Sequence, residues 1–302
     1  MEQRAASVIA LSTRDQLRAY FDLTKPRVVA LIVFTAVVGM LLAAPDYVPL
    51  DALIFGTLGI AMASASAAAF NHVLDRQADA EMVRTRGRPL PTGQLSVARS
   101  LGFAAALGLA AIGLLIWQVN VLTAVLTLLS LIGYAVVYTL YLKRATPQNI
   151  VIGGAAGAAP PVLGWSAVTG ELHLYPWLLF LIIFVWTPPH FWALAYHRVE
   201  EYAKVDIPML PVTHGLAYTR LQILLYSVLL LAVSTLPFAL GMSGGFYLAG
   251  ALVLGVGFLY YAVVLYRGHS PDTALALFRF SITYLFGIFA LLLADHYLDL
   301  LD

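Results

Sequence analysis

Asn71, Asp75 and Asp79 recur every fourth position at the end of a long apolar run, and Arg84-Thr85-Arg86-Gly87-Arg88-Pro89 follows them. On a helix of about 3.6 residues per turn each is rotated by roughly 40° from the last, so their oxygens form one stripe. Hard oxygen ligands suit Mg²⁺, which takes one or two carboxylates, waters and the oxygens of a substrate phosphate. The arginines that follow suit the remaining phosphate oxygens. Carboxylates and then a basic run at a membrane edge predict a diphosphate substrate held through Mg²⁺. Asp at a helix centre in lipid costs about 2.5–3.5 kcal/mol, so Asn71 and Asp75 are expected to face protein or a water cavity. Scattered Asp and Arg at a helix end are ordinarily just solvated, and a single arginine there can anchor a lipid headgroup. The shared stripe and the confinement of the basic run to one loop favour a site.

The elements that position this stripe are membrane helices. The chain has 302 residues, of which 61% are hydrophobic and 11% charged, and a mean hydropathy of +0.85. This is the composition of a polytopic membrane protein. Runs of about 20 apolar residues span a bilayer as helix, and nine are read at 28–44, 51–72, 98–117, 121–142, 149–168, 175–196, 219–240, 246–267 and 274–294. The fold class is all-α. With no cysteine, disulfides, thiolate ligands and cysteine nucleophiles are excluded. The stretch through Phe21 carries charges before any apolar run and does not read as a signal peptide. Absence of a transit-like presequence favours a bacterial or archaeal cell membrane, the inner membrane where there are two.

Charge placement supports nine spans with a cytoplasmic N-terminus. All 17 Lys and Arg then fall on the inner side, whereas Asp46, Asp51, Glu171, Asp295, Asp299 and Asp302 fall on the outer side, as the positive-inside bias requires. Trp117, Trp165 and Trp177 fall near the outer boundary, where interfacial anchors belong. Two inner loops, 73–97 and 197–218, are too long and too ionisable to be mere turns. The first ends Arg88-Pro89-Leu90-Pro91 and the second Ile207-Pro208-Met209-Leu210-Pro211. This positional likeness hints at a repeat relating helices 1–4 to helices 5–8, with the two loops facing each other across a cavity. Three parts are read: a cytoplasmic segment 1–22, a membrane domain 23–296 and a tail 297–302.

His190 follows Pro188-Pro189 within the sixth span. The prolines free backbone carbonyls, so the histidine either bonds one of these or faces a cavity. His72 adjoins Asn71, while His173, His197 and His214 read as loop residues.

Asn71-x-x-x-Asp75-x-x-x-Asp79 with Arg84-Thr85-x-x-Arg88-Pro89 resembles the first aspartate-rich motif of the intramembrane aromatic prenyltransferases of the UbiA superfamily. The segments Asn149 to Trp165, Thr187-Pro188-Pro189-His190-Phe191-Trp192, Tyr202-x-x-x-x-Ile207-Pro208-Met209-Leu210-Pro211-Val212 and Leu23-Thr24-Lys25-Pro26-Arg27 are similar to those of its haem-farnesylating branch. The similarity covers roughly residues 20–295. It implies nine helices around a central cavity that opens to the cytoplasmic side and to lipid. It also implies Mg²⁺ as cofactor, held by Asn71, Asp75 and Asp79. Farnesyl diphosphate is the implied donor, bound by cations among Lys25, Arg27, Arg84, Arg86, Arg88, Lys143 and Arg144, with Asn71, Asp75, Asp79 and Arg88 catalytic. The implied acceptor is haem B, for which His190 is the candidate iron ligand or propionate partner and His72 an alternative haem or diphosphate contact. The second acidic region departs from the superfamily, offering Glu200, Glu201 and Asp206 where relatives carry aspartates. Glu201 is the expected metal or water-mediated contact there, beside the plain reading of a solvated face.

The resemblance implies membrane lipid as surroundings, a haem-delivery or haem-modifying partner, and no nucleic acid. Two other functions remain open at this point. Prenylation of a quinone precursor or other aromatic would use the same first motif. A transporter or haem-handling protein would use the carboxylates for ions, but the arginine run has no purpose there.

Overall fold

The computed structural model describes residues 12–44, 47–268 and 270–299. The described residues form helices and connecting turns, with no strand among them. The chain opens with α1 (Thr13–Leu23), capped by Ser12 Oγ accepting from Asp15 N at 3.2 Å. It continues into α2 (Pro26–Leu42) across a bend of 49°. Lys25 makes the bend: it precedes proline, which disfavours the right-handed helical region, and it sits at φ 50°, ψ 60°. An l-residue with a side chain enters that left-handed region only at a cost.

There follow α3 (Ala52–Leu74), the short α4 (Arg76–Glu81), α5 (Val97–Gln118), α6 (Val121–Ala145), α7 (Asn149–Thr169) and α8 (Leu174–His197). The short α9 (Val199–Lys204), then α10 (Gly215–Ala239), α11 (Gly245–Gly268) and α12 (Pro271–Asp299) complete the chain. Eight of these helices are long and apolar enough to cross a membrane alone, and α2 makes a ninth when joined to α1. The nine expected spans are therefore present, and the molecule is a multi-pass membrane protein. Its outward faces are apolar, as at Leu109 and Val253, which are 76% and 74% exposed. Lipid can cover such faces because a helix pairs its backbone groups within itself.

Particular expectations are refined. The segment 1–22 contains most of α1, and α12 runs through 296 rather than ending there. Asp295, expected among the outer-side charges, accepts from Gly244 N at 2.5 Å and Tyr247 N at 2.9 Å, capping the start of α11. Trp117 and Trp177 are exposed, but Trp165 is buried and stacks on His173 at 5.9 Å, so it packs the interior instead of anchoring to lipid. Of the sorted charges, Arg4, Asp46 and Asp302 lie outside the described residues, as does the end of the tail.

Packing follows from small residues. α3 carries the run Ala61-Met62-Ala63-Ser64-Ala65-Ser66-Ala67-Ala68-Ala69 and lies along α5, where Ser66 Oγ donates to Ala104 O at 2.7 Å. α2 lies on the second half of α7 so closely that a Cβ at Gly39 would collide with the Pro161 backbone and one at Gly164 with the Ala36 carbonyl. Such contacts hold membrane helices together, since lipid tails give no hydrophobic drive for association. The most enclosed helix is α8, packed by α7, α10 and α12. Two segments wind as π-helix, Ala52–Gly56 in α3 and Gly133–Leu142 in α6. The second lies beside the aspartate stripe.

Gly39→Ala or Gly164→Ala is expected to destabilise the protein by about 1–3 kcal/mol through overpacking. The effect is read as a lower thermal midpoint in detergent. Gly157→Ala, where a Cβ meets nothing within 4 Å, should leave the midpoint unchanged or raise it.

Candidate active site

The stripe forms across a break in the helix. α3 ends at Leu74, and Asp75 caps it while starting α4. The ladder nevertheless continues, with Asp75 N donating to Asn71 O at 2.9 Å and Asp79 N to Asp75 O at 2.8 Å. Asn71, Asp75 and Asp79 are therefore stacked on one face, and all three are buried, at 4%, 3% and 5% exposure. Buried carboxylates require charged or hydrogen-bonding partners, and three cations from three parts of the chain supply them. The Lys25 ammonium donates to Asn71 Oδ1. Lys143 Nζ lies 2.5 Å from Asp75 Oδ2, and Arg88 Nη1 lies 2.6 Å from Asp79 Oδ2.

Each cation is delivered by a local feature. The left-handed bend turns Lys25 inward from the start of α2. The loop after α4 is folded on itself, with buried Thr85 donating its hydroxyl to Asp79 O at 3.0 Å and Thr92 donating to Arg88 O at 2.8 Å, which fixes the reach of Arg88. Lys143 follows the π-helical end of α6. Within that turn Thr139 Oγ1 donates to Tyr134 O, five residues back, at 2.8 Å, and accepts from Asn71 Nδ2 at 3.2 Å. Asn71 Nδ2 also donates to Asp75 Oδ2 at 2.8 Å, so its amide oxygen is left for Lys25.

The resulting centre holds Lys25, Lys143 and Arg88 against Asp75 and Asp79, an excess of positive charge. Lys25 sits at the break between α1 and α2, where Arg88 and Lys143 are near enough to act on it. Across from the centre stands the loop after α8. The Tyr202 hydroxyl is raised, mainly by burial, and it feels Arg84, Arg198, Glu201 and Arg88. The two long loops thus come together. Arg198 Nη1 pairs with Glu201 Oε1 at 3.2 Å, while Arg198 Nε and Glu201 Oε2 are buried without a hydrogen-bond partner among the described residues.

Of the expected anion-binding residues, Lys25, Arg88 and Lys143 are brought to the stripe. Arg84 is exposed but acts on Tyr202, whereas Arg27, Arg86 and Arg144 are exposed and make no ion pair among the described residues. Glu201 lies across from the stripe, paired to Arg198. Asp206, on the same loop, is exposed and also adopts positive φ, at 51°. His72 is 3% exposed, and neither ring nitrogen has a partner among the described residues. His190 bonds Ser281 rather than a carbonyl freed by Pro188 or Pro189.

Sequence reading missed Thr139, Arg198 and the stacked pair Tyr134 and Tyr138, whose ring centroids are 5.4 Å apart. Tyr138 and Tyr141 lie on the same apolar segment, and the structure separates them: Tyr141 is 69% exposed, whereas Tyr138 is pressed against α7 at Gly153, where a Cβ would collide with its ring. Gly153 in a membrane helix was the available signal. No three His, Asp or Glu side chains converge as a ready metal cage among the described residues. Two carboxylates, an amide oxygen and a substrate diphosphate still make a donor set of the kind Mg²⁺ takes.

The family model described as the UbiA prenyltransferase family matches residues 32–288. A protein of Methylococcus capsulatus, named protoheme IX farnesyltransferase, is 61% identical over 94% of this chain and 95% of its own length. One of the same name from Nitrosococcus oceani is 60% identical over 93% and 94%. Among solved structures, a digeranylgeranylglyceryl phosphate synthase superposes with a TM-score of 0.79 at 18% identity, covering 93% of this chain and 99% of the other. A UbiA homologue from Archaeoglobus fulgidus bound to GPP and Mg²⁺ gives a TM-score of 0.62 at 18% identity over 91% and 99%. These two share the fold. With the family model spanning most of its length and relatives of this identity spanning nearly all of it, the chain belongs to the UbiA prenyltransferase family.

Proposed function

We propose that this protein transfers the farnesyl group of farnesyl diphosphate to a vinyl group of haem B, with addition of water, giving haem O and diphosphate. The observation that carries the chemistry is the buried centre in which Lys25, Lys143 and Arg88 converge on Asn71, Asp75 and Asp79. The acceptor is carried by the relatives, which bear the name protoheme IX farnesyltransferase over almost the whole chain. The centre is assigned to the cytoplasmic side of the cell inner membrane, following the charge sorting.

The reaction starts at the leaving group, so no base is needed to begin it. As the allylic C–O bond breaks, Lys25, Lys143 and Arg88 take up the charge that develops on the diphosphate, which preorganised cations do without reorganising. Mg²⁺, when held by Asp75, Asp79 and the Asn71 amide oxygen, adds Lewis-acid neutralisation of the same charge. Glu201 has one buried carboxylate oxygen without a partner among the described residues, suited to a further cation or its water. Arg84, exposed at the edge, suits the outer phosphate. The stacked faces of Tyr134 and Tyr138 lie beside the carboxylates and suit a passing allyl cation. The vinyl π electrons of haem then bond the terminal farnesyl carbon, leaving a cation next to the porphyrin. Water adds there and loses a proton to the released diphosphate, giving the hydroxyethylfarnesyl side chain. His190 is assigned to the haem.

Detergent-purified protein given haem B, farnesyl diphosphate and Mg²⁺ should yield a haem heavier by one farnesyl group plus water, detected by mass spectrometry and absent when the metal is chelated. Unmodified haem, from a preparation that prenylates aromatic acids instead, would move the function to a quinone precursor. Asp75→Asn should abolish transfer without altering membrane insertion, and retained activity would refute the site. Arg88→Ala, which removes one donor to the departing charge, is expected to lower kcat by about 10²–10³-fold.

A further inference from the structure

His190 is held in a way that decides which of its ring nitrogens is available. Its Nδ1 lies 2.5 Å from Ser281 Oγ on α12. Ser281 has a single hydroxyl hydrogen, and its Oγ lies 2.6 Å from the carbonyl of Phe278, an oxygen that can only accept. The hydroxyl therefore donates to Phe278 and must accept from the ring. This puts the imidazole proton on Nδ1 and leaves Nε2 with its lone pair.

The same serine supports the ring a second way. Its backbone carbonyl accepts from Trp186 Nε1 at 2.8 Å, and the Trp186 ring covers one face of His190 with centroids 4.1 Å apart. Phe278 covers the other face at 4.5 Å. With both faces covered, one nitrogen tied and Phe191 set edge-on to the ring at 4.9 Å, approach is confined to what remains of the ring's edge, where Nε2 lies. No hydrogen bond from the described residues reaches Nε2, yet it is not sealed away as both nitrogens of His72 are.

We propose that Ser281 is a positioning residue that holds His190 as the Nδ1–H tautomer, so that Nε2 can take an axial position on the iron of the acceptor haem. The inference rests on the haem reading given above. An imidazole that donates its second N–H to a fixed oxygen is oriented and made more basic, which is how metal-ligating histidines are commonly supported. The in-plane approach left open is the one an axial ligand needs. Ligation would fix the porphyrin from its centre and so fix the distance of its vinyl edge from the prenyl donor. The competing use of the same lone pair is to take the proton of the water that adds to the vinyl carbon.

The test is a titration of the full-length detergent-purified protein with haem B, without prenyl diphosphate, read by the Soret band and by electron paramagnetic resonance. Wild type should show nitrogen-ligated haem, and His190→Ala should lose that signature and regain it with added imidazole. Ser281→Ala removes the acceptor without adding bulk and should weaken haem binding by about 10–100-fold, with a shifted spectrum. Ser281→Thr, which keeps a hydroxyl, should restore both. Size-exclusion and far-ultraviolet circular dichroism profiles establish that each variant is folded. Wild-type affinity and spectrum in Ser281→Ala, beside a His190→Ala that has lost them, would overturn the role of Ser281 and leave the haem reading standing. An unchanged spectrum in His190→Ala, with turnover reduced, would overturn iron ligation and give the lone pair to the water. Failure of wild type to bind haem at all would refute the acceptor, and this inference with it.

Discussion

The rest of the molecule depends on two carboxylates and an amide being kept out of both lipid and water at the end of α3. An unpaired Asp in a low-dielectric interior is untenable, so cations must be brought to it, and in this chain they come from far apart in sequence. Lys143 reaches Asp75 across 68 residues and Lys25 reaches Asn71 across 46. Each delivery imposes a local irregularity: a left-handed residue before Pro26, a loop folded back through Thr85, and a π-helical end to α6. Such irregularities recur at functional sites because regular helix does not aim side chains that way.

Those irregularities need a stiff frame, and a membrane offers no hydrophobic effect to supply one. Small residues do the work instead. Gly39 and Gly164 let α2 and α7 touch at the backbone, the alanine run of α3 admits α5, and Gly153 receives the Tyr138 ring. Positions that look like filler in an apolar sequence therefore set where charged groups meet. The interior of α8 shows the same economy, because its two prolines forgo backbone bonds while Trp186 and His190 both find their partner in Ser281 on α12.

Much of this was legible in the residues. Hydropathy and the sorting of Lys and Arg gave nine spans, because crossing a bilayer demands length and apolarity regardless of neighbours. The four-residue spacing gave the stripe, because the helical ladder runs on through Asp75 despite the change of helix. Less legible was which cations serve it. Arg86 and Arg88 are equivalent as sequence, yet one is exposed and the other meets Asp79, since the fold of the loop around Thr85 decides the direction of each. Tyr138 and Tyr141 divide likewise, because a π-helical turn shifts which residues share a face and leaves no periodicity to detect.

Sequence alone determined what kinds of groups had to be present: a membrane bundle, an oxygen stripe at one boundary, and enough positive charge beside it to accept a diphosphate. Those conclusions rest on composition and on local spacing, which do not change with folding. Tertiary structure alone decided the pairing of Lys25, Lys143 and Arg88 with the stripe, the approach of Arg198 and Glu201 from the other loop, and the tautomer of His190. Each of these is a contact between segments distant in the chain, fixed by the close packing of helices, and no local pattern encodes where such segments will meet.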